Sequence, residues 1–250
     1  PAAEEPKPLS LPIAVILFWA PSPQKPLLAG CKPAEEAHCS SQSQAMKKTS
    51  PNPTPKPLLV VLSGPSGAGK DAVLNHMKAS GYPARFITTA TTRPQRANEE
   101  DSIAYKFVSE KEFQRMLKNN ELLEYAKVYG NWYGVPREPI KQALKAGNDT
   151  IVKVDVQGAA TLKKLLPEAV FIFLTCPTTE ELETRLRERQ TESEFDCDLR
   201  LKTAVDEMKQ LHLFDYVVLN ERNEIERAAS AIAAIITAEK YRRKPREISL

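Results

Sequence analysis

Leu58-Leu59-Val60-Val61-Leu62-Ser63-Gly64-Pro65-Ser66-Gly67-Ala68-Gly69-Lys70 joins an apolar run to a glycine-rich turn that closes on Gly-Lys. The unbroken apolarity of the run predicts a strand buried on both faces. Gly64, Gly67 and Gly69 then allow a backbone path on which several N–H groups point at one centre, and the helix that follows starts with its positive end aimed there. Pro65, Ser66 and Ala68 complete the loop, and Lys70 adds a mobile full charge for the outer phosphates of a nucleotide. An ordinary turn before a helix would not need this spacing after such a strand, so the stretch reads as a P-loop and predicts a nucleoside triphosphate site. The pattern is incomplete in one respect. Ser or Thr should follow the lysine and present a hydroxyl to magnesium, but Asp71 and Ala72 stand there. Asp71 is either a hard oxygen ligand for the ion, directly or through water, or a cap on the helix start; both readings stay open.

Composition narrows the field outside this stretch. The 250 residues, 42% of them hydrophobic, suffice for one sizeable core. A net charge of +3, with basic residues interleaved among acidic ones, gives nucleic-acid binding no support. Cys31, Cys39, Cys176 and Cys197 form no CxxC and are too irregular for a disulfide scaffold or a zinc site, which points to a reducing compartment. His38, His76 and His212 show no metal-ligand or catalytic spacing. Residues 1–56 are rich in proline, carry a Ser/Gln stretch at 40–44 and end in Pro51-Asn52-Pro53-Thr54-Pro55, the composition of a disordered leader and linker. The apolar segment at 9–20 is interrupted by Pro12 and is shorter than the roughly 20 residues that cross a bilayer, so no stable membrane insertion is expected. Glu4 and Glu5 flank it, no arginine precedes Arg85 and no Met initiates the chain; the leader reads as a weak targeting signal and as part of a truncated precursor.

From Pro57 onward short apolar runs alternate with helix-period segments. Positions 58–62, 151–156, 169–174 and 216–219 read as strands, with helices at 72–80, 178–189 and 197–212. Ile225, Ala228, Ala229, Ile232, Ile235 and Ile236 form the apolar stripe of a last helix. Such alternation predicts an α/β fold with a parallel sheet wrapped by helices, and ligands beyond the carboxyl ends of its strands. Two segments break the pattern. Residues 89–137 read as an inserted small domain with a helix near 110–118, and polar 190–196, with no apolar period, reads as a mobile lid. Positions 243–250 are expected to be a flexible tail.

Seven stretches, taken in order, resemble the successive motifs of guanylate kinases and cover nearly everything after Pro57. They are the P-loop 64–70, Thr91-Thr92-Arg93-Pro94-Gln95-Arg96, Tyr105-Lys106-Phe107-Val108-Ser109, the segment 121–125, Tyr133-Gly134-Val135-Pro136, Asp155-Val156-Gln157-Gly158 and Arg185-Leu186-Arg187-Glu188-Arg189. The Gly-Lys-Asp-Ala variant, with Phe214-Asp215-Tyr216-Val217-Val218, looks most like the plastid and mitochondrial branch in plants. The resemblance implies a P-loop nucleoside monophosphate kinase-like fold, with core 57–88 and 138–242, an acceptor-nucleotide insertion at 89–137 and the lid. It also implies ATP and GMP (with dGMP) as substrates, Mg2+ alongside ATP, a monomer, and a plastid or mitochondrial location with the cytoplasm as alternative.

The implied roles agree with the chemistry of each side chain. Guanine presents adjacent N–H donors at N1 and N2, so a fixed carboxylate that accepts both separates it from adenine; Glu124 matches the family residue in that role, and Thr89 a second base contact. Arg93, Arg96, Tyr105 and Tyr133 resemble the clamp on the acceptor phosphate, since guanidinium forks fit phosphate and phenols add neutral donors. Asp155 is placed like a carboxylate that organises magnesium. Arg185, Arg189 and Arg200 match arginines that close over the phosphates, and Asn220 an adenine contact. Lys70, Arg93, Arg185, Arg189 and Arg200 are thus the candidate catalytic residues. Three positions depart from the family pattern: Val135 replaces a hydroxyl that touches the base, Lys153 an aspartate, and Gln190 a glycine at the lid. A non-catalytic guanylate kinase-like module that binds peptides would have lost the P-loop lysine, which Lys70 argues against. A kinase for another nucleoside monophosphate is the second alternative.

Overall fold

The computed structural model describes residues 55–95, 105–188 and 194–250, without the side chains of 194–200. Its centre is the strand of the P-loop stretch, β1 (Leu59–Ser63), buried along its whole length. The chain turns through the loop into α1 (Lys70–Ala79) and returns as β2 (Arg85–Ile87). The short strands β3 (Ala90–Thr91) and β4 (Lys106–Phe107), helix α2 (Glu110–Lys118) and the hairpin β5 (Leu122–Val128) and β6 (Asn131–Pro136) follow. Next come α3 (Arg137–Lys145), β7 (Thr150–Lys153), α4 (Val156–Leu165), β8 (Val170–Thr175) and α5 (Thr179–Glu188). Helix α6 (Glu194–Met208), a 3-10 turn (Lys209–Leu213), β9 (Tyr216–Leu219) and α7 (Ile225–Lys240) complete the described part.

Strands β2, β7, β1, β8 and β9 form one five-stranded sheet in that order, and every pairing in it is parallel. Successive side chains of β1 point to opposite faces, so each face carries its own core. Val60 and Leu62 pack with Val73 and Met77 of α1 and with Ile232 and Ile236 of α7. Leu59 and Val61 pack with Ile140 of α3, Leu162 of α4 and Phe171 of β8. Burial on both faces explains why the inner strands β1, β7 and β8 read as continuous apolar runs rather than as alternating ones.

The second sheet has four strands in the order β4-β3-β6-β5, all drawn from the stretch expected to be an insertion. Its small core is Ala90, Phe113, Met116 and Leu122. Ser109 starts α2 by accepting a hydrogen bond from the Glu112 N–H at 3.1 Å, a side-chain cap on an otherwise exposed helix end. The β5–β6 hairpin turns on Tyr129 and Gly130, with φ of 48° and 80°, as a two-residue turn between twisted strands requires.

Several expectations change. Val156, read as a strand end, opens α4 because Asp155 caps that helix, accepting from the Gly158 N–H at 2.8 Å. The helix expected at 197–212 begins earlier, at Glu194, and gives way to the 3-10 turn after Met208. Of the expected lid, 194–196 are therefore helical and 190–193 lie outside the described residues. Residues 1–54 of the leader also lie outside them. The expected flexible tail is docked: Arg246 is 8% exposed and bonds Glu239 Oε2 at 2.8 Å and the Ala169 carbonyl at 3.0 Å, while Ile248 and Leu250 pack on the core. The cause is Glu239, a carboxylate 2% exposed on α7. Burial opposes its charge, and hydrogen bonds from Arg246 and Tyr216 overcome that opposition and hold the carboxyl down at about 2.

Candidate active site

The loop after β1 takes its shape from what crowds it. Gly64 has φ 141°, and a Cβ there would lie 1.9 Å from the Leu174 carbonyl oxygen; at Gly69, with φ 88°, it would lie 2.3 Å from Asn220 Nδ2. Neither position accepts a side chain. Lys70, the first residue of α1, folds back and donates to the carbonyls of Gly64 at 2.6 Å and Pro65 at 2.9 Å. Burial pushes its ammonium down to about 8, against the pull of Glu207 and Asp71. Ala68 is fully buried, and its carbonyl accepts from Asn220 Nδ2 at 2.8 Å.

A cleft of about 1060 Å³, open mouth included, runs from this loop to the second sheet. Glu124 of β5, 5% exposed, faces it over Gly158 of α4, where a Cβ would come within 2.8 Å of Oε1. Among the described residues that Oε1 has no hydrogen-bond partner. Burial, with the charge of Asp155 adding to it, pushes the Glu124 carboxyl up to about 8. Beside it, Thr89 donates to the Lys153 carbonyl at 3.1 Å. The rings of Tyr105 and Tyr133 meet edge-on at 5.9 Å, and the Arg93 guanidinium lies 5.5 Å from the Tyr105 ring centre, with Nη1 donating to the Pro94 carbonyl at 2.7 Å. Asp155 lines the same cleft; burial raises its carboxyl, while the Gly158 N–H and Lys70 draw it back.

A second, shallower cleft of about 810 Å³, mouth included, lies on the other side of the loop. Gly67 and Gly69 line both clefts, and Ala72, Arg185 and Asn220 line the second. Arg185 is held there by Glu181 and by the Asn220 carbonyl at 2.8 Å. Two openings therefore share one phosphate-shaped loop, the arrangement a donor and an acceptor need if a group is to pass between them.

The family pattern for guanylate kinase matches residues 56–239. The chain belongs to the guanylate kinase family. It is 42% identical over 199 residues to the chloroplastic/mitochondrial guanylate kinase 2 of Oryza sativa subsp. japonica, covering 79% of this chain and 70% of that one. It is 43% identical over 185 residues to the guanylate kinase of Caldanaerobacter subterraneus, covering 74% and 89%. Among solved structures, the guanylate kinase of Anaplasma phagocytophilum superposes with a TM-score of 0.62 at 31% identity, covering 76% of this chain and 89% of that one.

The guanylate kinase fold brings Lys70, Asp71, Thr89, Arg93, Tyr105, Glu124, Tyr133 and Asp155 to one cleft. Arg96 and Arg189 lie outside the described residues, and of Arg200 only its place in α6 is described. Val135 is a correction. It sits opposite Glu124 in the β5–β6 register, but it is fully buried in the core with Leu59 and Ile140 and does not line the cleft.

Glu207 of α6 was not legible in the sequence. It reaches the P-loop cleft, accepts from the Ser66 backbone, has no partner at Oε2, and is pushed up by burial to about 7 while Lys70 pulls the other way. No spacing marks it among the other acidic residues of a charged helix.

Magnesium can be tested against these donors. Among the described residues no group of three or more His, Cys, Asp or Glu could hold a metal ion. In nucleotide sites a magnesium ion is held largely by phosphates and water, with one or two carboxylates from the protein. Asp155 and Glu207 offer oxygen ligands beside Lys70; Asp71, the other tentative ligand, is engaged by Lys153.

Proposed function

We propose that this chain reversibly transfers the γ-phosphoryl group of ATP to the phosphate of GMP, or dGMP, giving ADP and GDP. The single observation that carries the choice of acceptor is Glu124, whose buried, unpartnered oxygen faces the cleft that begins at the P-loop lysine. Guanine N1–H and N2–H supply the two donors this carboxylate lacks. Adenine offers no such pair and would leave it buried and unsatisfied, which a polar site rejects by about 10⁴-fold.

The ATP phosphates occupy the loop N–H groups of 64–70, with Lys70 released from its carbonyls to the outer phosphates and the adenine beside Ala72 and Asn220. The acceptor phosphate sits among Arg93, Arg96, Tyr105 and Tyr133, with Thr89 near the base. Its second pKa of about 6 leaves it mostly dianionic near neutral pH, so no general base is required. The protein's task is alignment and charge stabilisation by Lys70, Arg93, Arg185, Arg189 and Arg200 as negative charge spreads over the moving group. Asp155 would help hold Mg2+, which when bound would neutralise charge on the phosphate oxygens. Closure of the insertion over the bound nucleotides would expel water that would otherwise hydrolyse ATP.

The organelle name of the rice relative supports a plastid or mitochondrial location, while the bacterial relatives fit the cytoplasmic alternative. A reporter fused behind the full-length leader decides between them. Among the described residues no helix is long and apolar enough to cross a membrane. For the activity, ADP release is measured with GMP, dGMP, AMP, CMP and UMP in turn. Turnover confined to the two guanine nucleotides is expected; equal rates with AMP would defeat the guanine assignment, and no turnover with any acceptor would favour the non-catalytic module.

A further inference from the structure

Two departures from the family pattern, Asp71 in place of a P-loop hydroxyl and Lys153 in place of an aspartate, turn out to be one feature. The Lys153 ammonium and the Asp71 carboxylate form an ion pair across 82 residues of sequence, joining the first turn of α1 to the end of β7. Resting on the kinase reading above, we propose that Lys153 contacts the phosphate of the acceptor nucleotide. Asp71 is its counter-ion and positioning residue while the cleft is empty.

The two partners are unequally buried. The Lys153 side chain is 9% exposed and that of Asp71 51%. Burial opposes the charge of the ammonium, but Tyr105 and Asp71 more than offset that and hold its pKa above the ordinary lysine value, so Lys153 stays charged on the wall of the cleft. The ammonium lies 3.8 Å over the centre of the Tyr105 ring, and the Arg93 guanidinium lies 5.5 Å from the same ring. Two cations thus share one aromatic ring on the wall of the cleft, beside Tyr133. Two cations beside phenols on one cleft wall make a site for a dianion, and a phosphate is the dianion that arginine, lysine and phenol groups jointly fit.

The backbone of Lys153 is fixed from both sides. Its carbonyl accepts from Thr89 Oγ1 at 3.1 Å, and the next N–H, of Val154, donates to the Leu62 carbonyl at 3.1 Å. Only the flexible side chain needs to move from carboxylate to phosphate. The exchange leaves Asp71, half exposed on the wall of the same cleft, to be solvated by water at small cost.

The test compares Lys153→Met and Lys153→Arg with the unmutated chain, using calorimetric titration with GMP alone and steady-state kinetics with GMP and ATP varied separately. Because Asp71 is half exposed, the methionine variant is expected to fold, and a thermal melt verifies this. Losing one charge-assisted phosphate contact should weaken GMP roughly 10-fold to 100-fold in Kd and KM. The KM for ATP should change less than about threefold, and arginine should restore most of the loss. GMP binding within about twofold of the unmutated chain overturns the proposal, and so does an equal loss of GMP and ATP affinity, which marks a purely structural pair. An unmutated chain that binds GMP but transfers no phosphoryl group sinks the kinase reading, and the GMP titrations still decide the role of Lys153.

Discussion

Lys70 and Glu124 stand at opposite ends of one cleft and are displaced in opposite directions to the same place. Burial brings the lysine down to about 8 and the glutamate up to about 8. The donor end is a backbone device: loop N–H groups set by glycines that tolerate no Cβ, with a single lysine parked on its own carbonyls. The acceptor end is a side-chain device, with Glu124 and Tyr133 on the small second sheet and Lys153 reaching in from β7 of the larger one. Each end holds a charge that the empty protein stabilises poorly. The substrates bring the missing partners, phosphate oxygens to one and guanine N–H groups to the other.

Removing the acceptor's reader should have the largest effect. Glu124→Leu takes away the carboxylate that favours guanine and the penalty that rejects adenine, so the GMP-to-AMP ratio of kcat/KM should fall by up to about 10⁴. A ratio that survives in the ADP-release assay would show that the reader lies elsewhere. Lys70→Ala attacks the donor end instead. Turnover should drop about 10²–10³-fold, with the melting temperature retained because the side chain bonds only loop carbonyls. Near-normal turnover in that variant would remove the mechanism.

The two ends should also answer pH in mirror fashion. Guanine needs Glu124 ionised, so kcat/KM for GMP should rise about tenfold per pH unit up to about 8 and then level. ATP needs Lys70 protonated, so kcat/KM for ATP should be level below about 8 and fall about tenfold per unit above it. Profiles of the same sign for both substrates would break the comparison. The smallest effect is on the empty protein. The folded pKa of Glu124, about 8, lies above its ordinary 4.5, so stability present below 4.5 is lost as pH rises towards 8. Glu124→Gln should therefore be more stable than the parent at pH 8, by about 1–3 kcal/mol in urea unfolding, and the gap should close near pH 4.

The contrast between the ends also explains what the sequence disclosed. The sheet was legible because β1, β7 and β8 are buried, largely apolar runs whose period needs no distant partner to be recognised. The P-loop was legible because its glycines and lysine act on their own neighbours. Helix α2 was read at 110–118, where Ser109 caps it locally. The features that escaped depend on contacts far along the chain. The tail docks only because Glu239 on α7 is buried and needs Arg246. Lys153 and Asp71 each looked like an isolated departure until the fold put them together. Val135 was assigned to the base by its place in a motif, while packing decided where its side chain went. Glu207 had no local pattern at all.

The most direct test of a donor pocket and an acceptor pocket meeting on one loop is calorimetric titration with adenosine and guanosine joined through a chain of phosphates long enough to span both. The account predicts one such molecule per protein, bound at least 10²-fold more tightly than either ATP or GMP and displaced only when both nucleotides are supplied. Binding no tighter than ATP alone, or two independent molecules per protein, would contradict it.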